Sequence, residues 1–330
     1  MIPIKKGKIS QQTKKKAPIG SISGKKYGAL SEAGAKFFAD TTTDVILVGG
    51  SAGSTKSYSS LLKNLDGIND PHYRCTIFRR TNPELLRQGG LIDDSQALYS
   101  DFRGEYGSQA KTWTFPAGAK VSFAAIGCDA DLGGWQGSQL VRVCIDECGD
   151  SWTQSQVLFL ASRMRSGQCK IHPQMILTAN PRRDSFLKSW VQYSLDPITG
   201  IPKKGTEDII RHFVIQNNQP QWADSREECF ELYGKPNGMI DGYGMNLKEI
   251  QTVDPKKLFI SKTFRFIPLS VFQNPYLLPP INNSYLANLL AQSEVNQSIF
   301  LFGSWEAQEE GAAYFKRSWC EMVDLPPENV

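Results

Sequence analysis

Apolar runs alternate with helical periodicity along the first two thirds of the chain. Short apolar runs that end in glycine, acidic or Asn-Pro turns predict buried strands, and apolar positions spaced by three or four predict helices. The predicted strands are Asp44–Val48, Tyr73–Phe78, Leu140–Ile145 and Gln174–Thr178. The predicted helices are Leu30–Ala39, Lys56–Leu65, Pro83–Tyr99 and Thr153–Arg165. This alternation indicates an α/β fold with a mainly parallel sheet, covered by helices on both faces.

The last third of the chain has a weaker pattern. A hairpin is predicted earlier in the chain, where Pro-Ala-Gly-Ala joins Thr112–Phe115 to Lys120–Ala125. After residue 200, short strands are predicted at Arg211–Ile215 and Thr263–Ile267, with a Gly/Asn/Asp-rich stretch between them. We therefore expect a basic tail (1–27), an α/β core (28–200), and a smaller lid subdomain with a linker (201–330).

The basic excess of the chain lies at its N-terminus. The whole sequence carries a formal charge of +4, and residues 1–26 contain eight lysines and no acid, so subtracting these eight leaves −4 for the rest. We expect this tail to be solvated and disordered, with binding of DNA or a partner as the alternative. Any other contact with DNA must come from a local basic patch.

Hydropathy and cysteine usage indicate in which cellular compartment the protein is expected. No apolar run approaches the roughly 20 residues that a membrane-spanning helix needs, so we expect a cytoplasmic protein without a membrane partner. The seven cysteines are scattered and form no CxxC pair. We expect them to be reduced and structural.

Residues 50–57 predict a phosphate-binding loop. The segment reads Gly50-Ser51-Ala52-Gly53-Ser54-Thr55-Lys56-Ser57. It matches G-x-x-x-x-G-K-[ST] except at Thr55, follows a predicted strand and opens a predicted helix, which aims the N–H groups of the helix N-terminus at phosphates. We expect it to bind ATP, with Lys56 neutralising phosphate oxygens and the Ser57 hydroxyl holding Mg²⁺. The alternative is a plain Gly/Ser turn.

Thr55 departs from this motif, because it stands where the second glycine is usual. A β-branched residue tolerates a positive φ poorly. We therefore expect either a loop that bends differently at this position or weakened nucleotide binding.

An acidic pair ends the third long strand. Asp146 and Glu147 follow Leu140–Ile145, and ligands of open α/β sheets bind at the carboxyl ends of the strands. We expect Asp146 to bind Mg²⁺, directly or from its second shell, and Glu147 to orient and deprotonate the attacking water. The alternative is an acidic pair that only caps the next helix.

The fourth strand ends in a further polar segment. Thr178, Ala179 and Asn180 precede Pro181. A Thr and an Asn at this edge can hydrogen-bond the γ-phosphate or the water and couple hydrolysis to movement. Taken alone, the segment is a strand followed by a proline turn.

With these three motifs in order, the chain resembles the large terminase subunits of tailed double-stranded DNA phages over most of residues 30–320. Further segments similar to that family are Phe78-Arg79-Arg80-Thr81, Trp135-Gln136-Gly137-Ser138, Ser162-Arg163-Met164-Arg165, Phe266-Ile267-Pro268, Asn274-Pro275-Tyr276 and Gly303-Ser304-Trp305. The resemblance implies a RecA-like (ASCE) P-loop NTPase core with a lid, which uses ATP and Mg²⁺ to drive DNA into a procapsid. It also implies a homo-oligomeric ring at the portal vertex in the host cytoplasm. The implied partners are double-stranded DNA, portal protein and the small terminase subunit, with a monomer in isolation as an alternative.

Two features depart from the family pattern. Relatives continue into an RNase H-like nuclease domain, for which this sequence has no segment, so we expect an ATPase domain without nuclease activity. Many relatives also carry an arginine inside the phosphate loop, where this chain has Ser51 to Ser54. A neighbouring subunit of a ring can supply the missing charge. The candidates for such an arginine finger are Arg163 and Arg165, then Arg79 and Arg80, unless they are ordinary surface or salt-bridged arginines.

Two other functions fit parts of this pattern. A different DNA-dependent P-loop ATPase, such as a helicase, would need a second complete α/β unit, which does not fit after residue 200. A non-hydrolysing nucleotide-binding assembly protein would suit Thr55, but would have no use for Lys56, Ser57, Asp146 and Glu147 together.

Overall fold

A computed structural model describes residues 27–234, 259–282 and 284–307. Residues 1–26 of the predicted tail, the Gly/Asn/Asp-rich stretch and the end of the linker lie outside these ranges. Tyr27, the last residue of the predicted tail, is described and packs against Phe102. The strands are β1 (Val45–Gly50), β2 (Arg74–Arg79), β3 (Glu105–Gly107), β4 (Thr112–Thr114), β5 (Lys120–Ala125), β6 (Arg142–Ile145), β7 (Gln174–Ala179), β8 (Ile210–Gln216), β9 (Gln219–Ala223) and β10 (Lys262–Leu269). The helices are α1 (Glu32–Ala39), α2 (Lys56–Lys63), α3 (Asn82–Leu86), α4 (Leu91–Tyr99), α5 (Gln154–Ala161), α6 (Leu187–Val191), α7 (Arg226–Tyr233), α8 (Ser284–Leu290) and α9 (Glu294–Phe300).

The ten strands form one sheet in the order β3-β4-β5-β2-β6-β7-β1-β10-β8-β9. The six central strands, from β5 to β10, are all parallel to their neighbours. Antiparallel strands extend both edges, with β3 and β4 on one side and β8 and β9 on the other. The predicted α/β class and its mainly parallel sheet are confirmed.

Strand β1 shows why the central strands are continuous apolar runs. Successive side chains of a strand point to opposite faces, and helices cover both faces of this sheet. Ile46 and Val48 accordingly join the core beneath α1, α2 and α4, whereas Val45 and Leu47 join the core beneath α5 and α6. This burial fixes the strand, and with it the loop that leaves its carboxyl end.

One predicted helix is wrong in its extent. The segment Pro83–Tyr99 forms two helices, α3 and α4, because the chain breaks at residues 87–90. Gly89 adopts a φ of +66° there, which glycine allows without steric cost.

The sheet continues past residue 200, where the sequence places the boundary of the core. Strand β10 lies between β1 and β8, and it pairs with β1 over the whole of Val45–Gly50. Residues 262–269 therefore belong to the centre of the sheet and reach its carboxyl edge beside the phosphate loop.

Within the described ranges, no helix is long and apolar enough to cross a membrane. The six cysteines that lie there are all free thiols, and Cys128 alone among them is exposed.

The junction of β1 with the loop predicts a large effect of a small substitution. A Cβ atom at Gly50 would lie 1.8 Å from the Leu269 carbonyl oxygen, at a φ of +130°. We expect Gly50→Ala to lower the free energy of unfolding by about 3 kcal/mol or more, as steric and backbone strain combine. Thermal and urea unfolding measure this. Gly133→Ala is the matched control, because a Cβ there meets nothing within 4 Å; equal stability losses in the two variants would contradict the prediction.

Candidate nucleotide-binding site

The loop after β1 is fixed to the end of β10. The Ser51 N–H donates to the Leu269 carbonyl over 3.1 Å, and the Ser51 hydroxyl accepts the Val271 N–H. Gly50 lies against the same carbonyl. The first two loop residues therefore serve to anchor the loop.

Later residues of the chain cover the tip of the loop. The Ala52 N–H donates to the Phe300 carbonyl over 2.8 Å, and Asn274 Nδ2 donates to the Gly53 carbonyl over 2.8 Å. A Cβ at Gly53 would approach the Tyr285 ring to 2.7 Å. The tip is thus held between the turn at residues 271–277 and helices α8 and α9.

Thr55 itself adopts the strained conformation that its position demands. Its φ is 67° and its ψ is 19°, in the left-handed region, and its Oγ1 donates to the Ser54 carbonyl over 2.6 Å. It occupies the N-cap position of α2 but makes no side-chain cap. The loop therefore keeps the left-handed backbone at this position at the cost of local strain.

The loop leaves a row of donors for a ligand. In the described part of the chain, the backbone N–H groups from Gly53 to Ser57 have no acceptor. They border a cleft of about 280 Å³ whose far wall is formed by Glu147, Thr178 and Asn180. Free N–H groups at a helix N-terminus, together with the helix dipole, form an anion site. The cleft fits phosphate groups.

Lys56 is folded back onto the loop. Its Nζ donates to the Ser51 carbonyl over 2.6 Å and to the Gly50 carbonyl over 3.2 Å. Burial lowers the pKa of Lys56 to about 8, against the opposing effect of Asp146 and Glu147. The ammonium group lies at the cleft and gains a partner when an anion enters.

Asp146 collects donors from three elements. Its Oδ1 accepts from Ser57 Oγ over 2.9 Å and from Thr178 Oγ1 over 2.5 Å. Its Oδ2 accepts from Arg79 Nε over 2.9 Å and Nη2 over 2.6 Å. The strand register explains why these side chains meet at Asp146, because Ile145 is paired with Phe78 of β2 and with Leu177 of β7.

Glu147 turns toward the cleft through a second left-handed residue. Its φ is 56°, and its N–H donates to Thr178 Oγ1 over 3.1 Å. Its carboxylate is 45% exposed and lies 2.9 Å from Arg79 Nη2. Burial raises the pKa of Glu147, and Arg79 partly offsets that effect, so the environment favours a proton acceptor stronger than an ordinary glutamate.

The four candidate arginines lie in different settings. Arg79 is buried and pairs with Asp146 and Glu147 of its own chain. Arg80 donates to the Gly127 carbonyl and stacks over Trp152. Arg163 lies over the Phe159 ring, and Arg165 is exposed near the Ser138 carbonyl. The arginine-finger assignment stays a prediction, with Arg163 and Arg165 outside the cleft.

The oxygen atoms of Ser57 and Asp146 fit one magnesium ion. Mg²⁺ prefers hard oxygen ligands and in nucleotide sites takes one or two from protein and the others from phosphates and water. Among the described residues, no group of three or more His, Cys, Asp or Glu side chains could hold a metal. The ion would therefore depend on the nucleotide for most of its ligands.

The structure adds site residues that the sequence pattern left without this role. Arg79 bridges both acidic residues of the site, and Asn274 holds the loop tip. The available signals were the family-like segments Phe78-Arg79-Arg80-Thr81 and Asn274-Pro275-Tyr276. Their side-chain partners could not be read from them.

The chain therefore has an α/β fold with a mainly parallel sheet flanked by helices, and the loop of residues 50–57 follows the central strand β1. No family model matches the chain, and no curated protein matches it. Similar solved structures include the large terminase of a thermophilic bacteriophage (TM-score 0.46, 12% identity, 83% of this chain and 53% of that chain). The complex of that terminase with ADP gives a TM-score of 0.46 at 14% identity, with the same coverage. The bacteriophage Phi-29 viral genome packaging motor assembly gives 0.32 at 15% identity, covering 66% of each chain. This chain spans about half the length of the two terminase chains.

The strain at Thr55 predicts a stabilising substitution. We expect Thr55→Gly to raise the free energy of unfolding by about 1 kcal/mol, because glycine adopts a φ of 67° without a Cβ clash. Thr55→Ala is the control, since it removes the hydroxyl contacts but keeps a Cβ. Denaturant unfolding of the three proteins measures the difference. Equal stabilities of the glycine and alanine variants would show that the backbone is not strained.

Proposed function

We propose that the chain binds MgATP at the loop of residues 50–57 and hydrolyses it. The observation that carries the proposal is the 2.9 Å hydrogen bond from Ser57 Oγ to Asp146 Oδ1. It joins the last residue of the loop to the strand-end acid, two oxygen donors that a nucleotide-bound Mg²⁺ requires. The proposed metal ligands are Ser57 and Asp146.

The proposed roles follow from position and charge. The free N–H groups of residues 53–57 and the Lys56 ammonium neutralise the phosphate oxygens, and Glu147 accepts the proton of the attacking water. Bound Mg²⁺ supplies further neutralisation of the phosphate charge. Catalysis of this kind depends on positioning and electrostatics more than on covalent chemistry.

Arg79 gives this site a resting arrangement. Its guanidinium holds the Glu147 carboxylate at 2.9 Å while it also pairs with Asp146. Glu147 has to exchange this ion pair for a water molecule before it can act as a base. We propose Arg79 as a positioning residue of the same subunit, with the arginine finger supplied by Arg163 or Arg165 of a neighbour.

We further propose that hydrolysis drives double-stranded DNA into a procapsid. The family-like segments support this proposal, because they surround the site: Trp135 packs on Phe78, Asn274 holds the loop tip, and Gly303 lies against Gly50. The proposed lid comprises the turns after β10 with α8 and α9, and the coupling segment is Thr178–Asn180. Portal protein, small terminase and a homo-oligomeric ring are the proposed partners.

The lowered pKa of Lys56 predicts a pH dependence of nucleotide affinity. Phosphate charge raises the pKa of this ammonium group in the complex above its value of about 8 in the free protein. Affinity should therefore fall as pH rises through about 8, by up to about tenfold per pH unit, with uptake of about one proton at pH 9. Calorimetry of MgADP binding at pH 7 and pH 9, in buffers of different ionisation enthalpy, measures both quantities. Lys56→Arg is the control, because arginine stays charged throughout; a flat affinity profile in the native chain would contradict the assignment.

The proposed general base predicts a separation of binding from turnover. We expect Glu147→Gln to reduce ATP hydrolysis by about 10²-fold or more while leaving MgATP affinity within about threefold. Lys56→Ala should lose binding, and Glu231→Gln, an exposed change on α7, should alter neither quantity. Phosphate release and calorimetry measure the two effects, with and without duplex DNA.

The results of these assays distinguish the proposed motor from the alternative functions. A native chain that binds MgATP without turnover, in the presence or absence of DNA, would support a non-hydrolysing assembly protein, as the strain at Thr55 would allow. Turnover that duplex DNA fails to stimulate at any protein concentration would contradict the motor while leaving the ATPase in place.

A further inference from the structure

The acidic side of the nucleotide cleft carries a cation that the proposed roles leave unused. Arg87 lies at the break between α3 and α4, and its Nη2 is 4.0 Å from Oε1 of Glu147. The Arg87 side chain is 57% exposed, and within the described ranges it pairs with no other acid. Its charge therefore lies beside the group that is proposed to activate water.

The backbone of this helix break fixes the position of Arg87. Its N–H donates to the Pro83 carbonyl over 2.9 Å, and its carbonyl accepts the Gly90 N–H over 2.9 Å. A Cβ atom at Gly90 would lie 2.8 Å from the Arg87 carbonyl oxygen and 3.1 Å from Arg87 Cγ. Glycine at this position therefore leaves room for the stem of the arginine side chain. The break holds Arg87 beside the cleft and leaves its exposed guanidinium able to turn.

The ion pair that Arg87 forms is weak. Its partners are both exposed and 4.0 Å apart, so water screens most of their attraction. Glu147 also has a closer partner, because Arg79 Nη2 lies 2.9 Å from the same carboxylate oxygen. Glu84, a further acid nearby, is engaged at the start of α3, where its Oε2 accepts the Thr81 N–H. Arg87 therefore gives up little when its guanidinium turns to a ligand.

The buried neighbour of Glu147 also has a donor to spare. Arg79 is 4% exposed, and its Nη1 has no hydrogen-bond partner among the described residues. Buried donors are nearly always satisfied, so this exception needs an acceptor such as a ligand oxygen or a water molecule. Two guanidinium groups thus meet around the Glu147 carboxylate with donors left over.

The carboxylates of the site offset the arginines only while no nucleotide is bound. Asp146 pairs with Arg79, and Glu147 pairs with both arginines. A nucleotide brings further negative charge, and the loop of residues 50–57 meets it with one cation, Lys56. The γ-phosphate has the greatest need of a second cation, because charge is spread over its oxygens during the transfer. Arg87 is an exposed arginine already paired with a residue that lines the cleft.

We propose that Arg87 turns from Glu147 to the γ-phosphate of bound ATP and stabilises its charge, as an arginine finger of the same subunit. This inference rests on the proposed ATPase and adds a catalytic residue to it. A water molecule between Glu147 and the γ-phosphorus places the phosphorus roughly 6 Å from the carboxylate, because the hydrogen bond and the line of attack each span about 3 Å. A guanidinium 4.0 Å from that carboxylate comes within reach of the phosphoryl oxygens by side-chain rotation, and binds them through paired N–H donors. An arginine from a neighbouring subunit would add to this charge.

The contribution of the γ-phosphate to affinity tests this assignment without turnover. Calorimetry with Mg²⁺ gives the affinities for ADP and for the non-hydrolysable analogue AMP-PNP, and their ratio isolates the contacts with the γ-phosphate. We expect Arg87→Gln to lower the ratio of AMP-PNP to ADP affinity about tenfold, because one charge-assisted contact is lost and the other phosphate contacts remain. Arg87→Lys keeps the charge without the paired donors and should recover part of this loss. Arg103→Gln changes an exposed arginine in a cavity that shares no residue with the cleft, and should leave the ratio within about twofold.

Fluorescently labelled forms of the same nucleotides extend the test to dilute protein. An arginine of the same subunit acts at every protein concentration, so the effect of Arg87→Gln should be equal at concentrations about a hundredfold apart. An effect confined to the higher concentration would assign Arg87 to a neighbour's site and overturn the inference. An unchanged ratio, or an equal loss of affinity for both nucleotides, would also overturn it, the second by showing a structural role. A native chain that binds neither nucleotide would contradict the proposed ATPase itself, and the inference with it.

Discussion

The hydrogen bonds of the buried Asp146 carboxylate are the interaction on which the cleft beside the loop depends. Four hydrogen bonds reach it from the start of α2, the end of β7 and the end of β2. An ionised carboxylate accepts about four such bonds, so a Mg²⁺ ion that Asp146 coordinates directly would replace one of these donors. Three strand ends are thereby held at fixed distances, and the loss of this one group would leave the Arg79 charge buried beside Glu147 only.

Backbone strain marks the two sides of the same cleft. Thr55 and Glu147 are both non-glycine residues with a left-handed φ. Thr55 directly precedes Lys56, and Glu147 directly follows Asp146. Such conformations persist where the surrounding structure fixes them, and they cluster at functional sites. Here Leu269 and Phe300 hold the loop that contains Thr55, and Thr178 holds the backbone of Glu147. These contacts supply that constraint.

The local sequence pattern predicted the strands and helices that carry the motifs. It did not predict which elements lie beside them in the sheet. The parallel-sheet rule was enough to bring Asp146 to Ser57, because both follow apolar strands. The position of β10 could not be predicted, since its half-buried pattern says nothing about pairing with a strand so distant in sequence. The same limit applies to Arg79: strand alternation separates it from Arg80, but only the register with β6 shows which arginine faces the acids. Gly89 and Gly90, by contrast, were a readable break in the helix predicted for Pro83–Tyr99.

The pairing of β1 with β10 has a consequence for biosynthesis. Val45 and Phe264 are separated by about two thirds of the given sequence, so β1 gains its second neighbour only after this long segment has been synthesised. Until then an apolar strand has one open edge, which is prone to intermolecular association. Closing so long a segment also slows folding. The loop that β1 carries can take its final shape only after β10 has paired with β1, so a nascent chain is without the proposed nucleotide site until residues 262–269 have been synthesised.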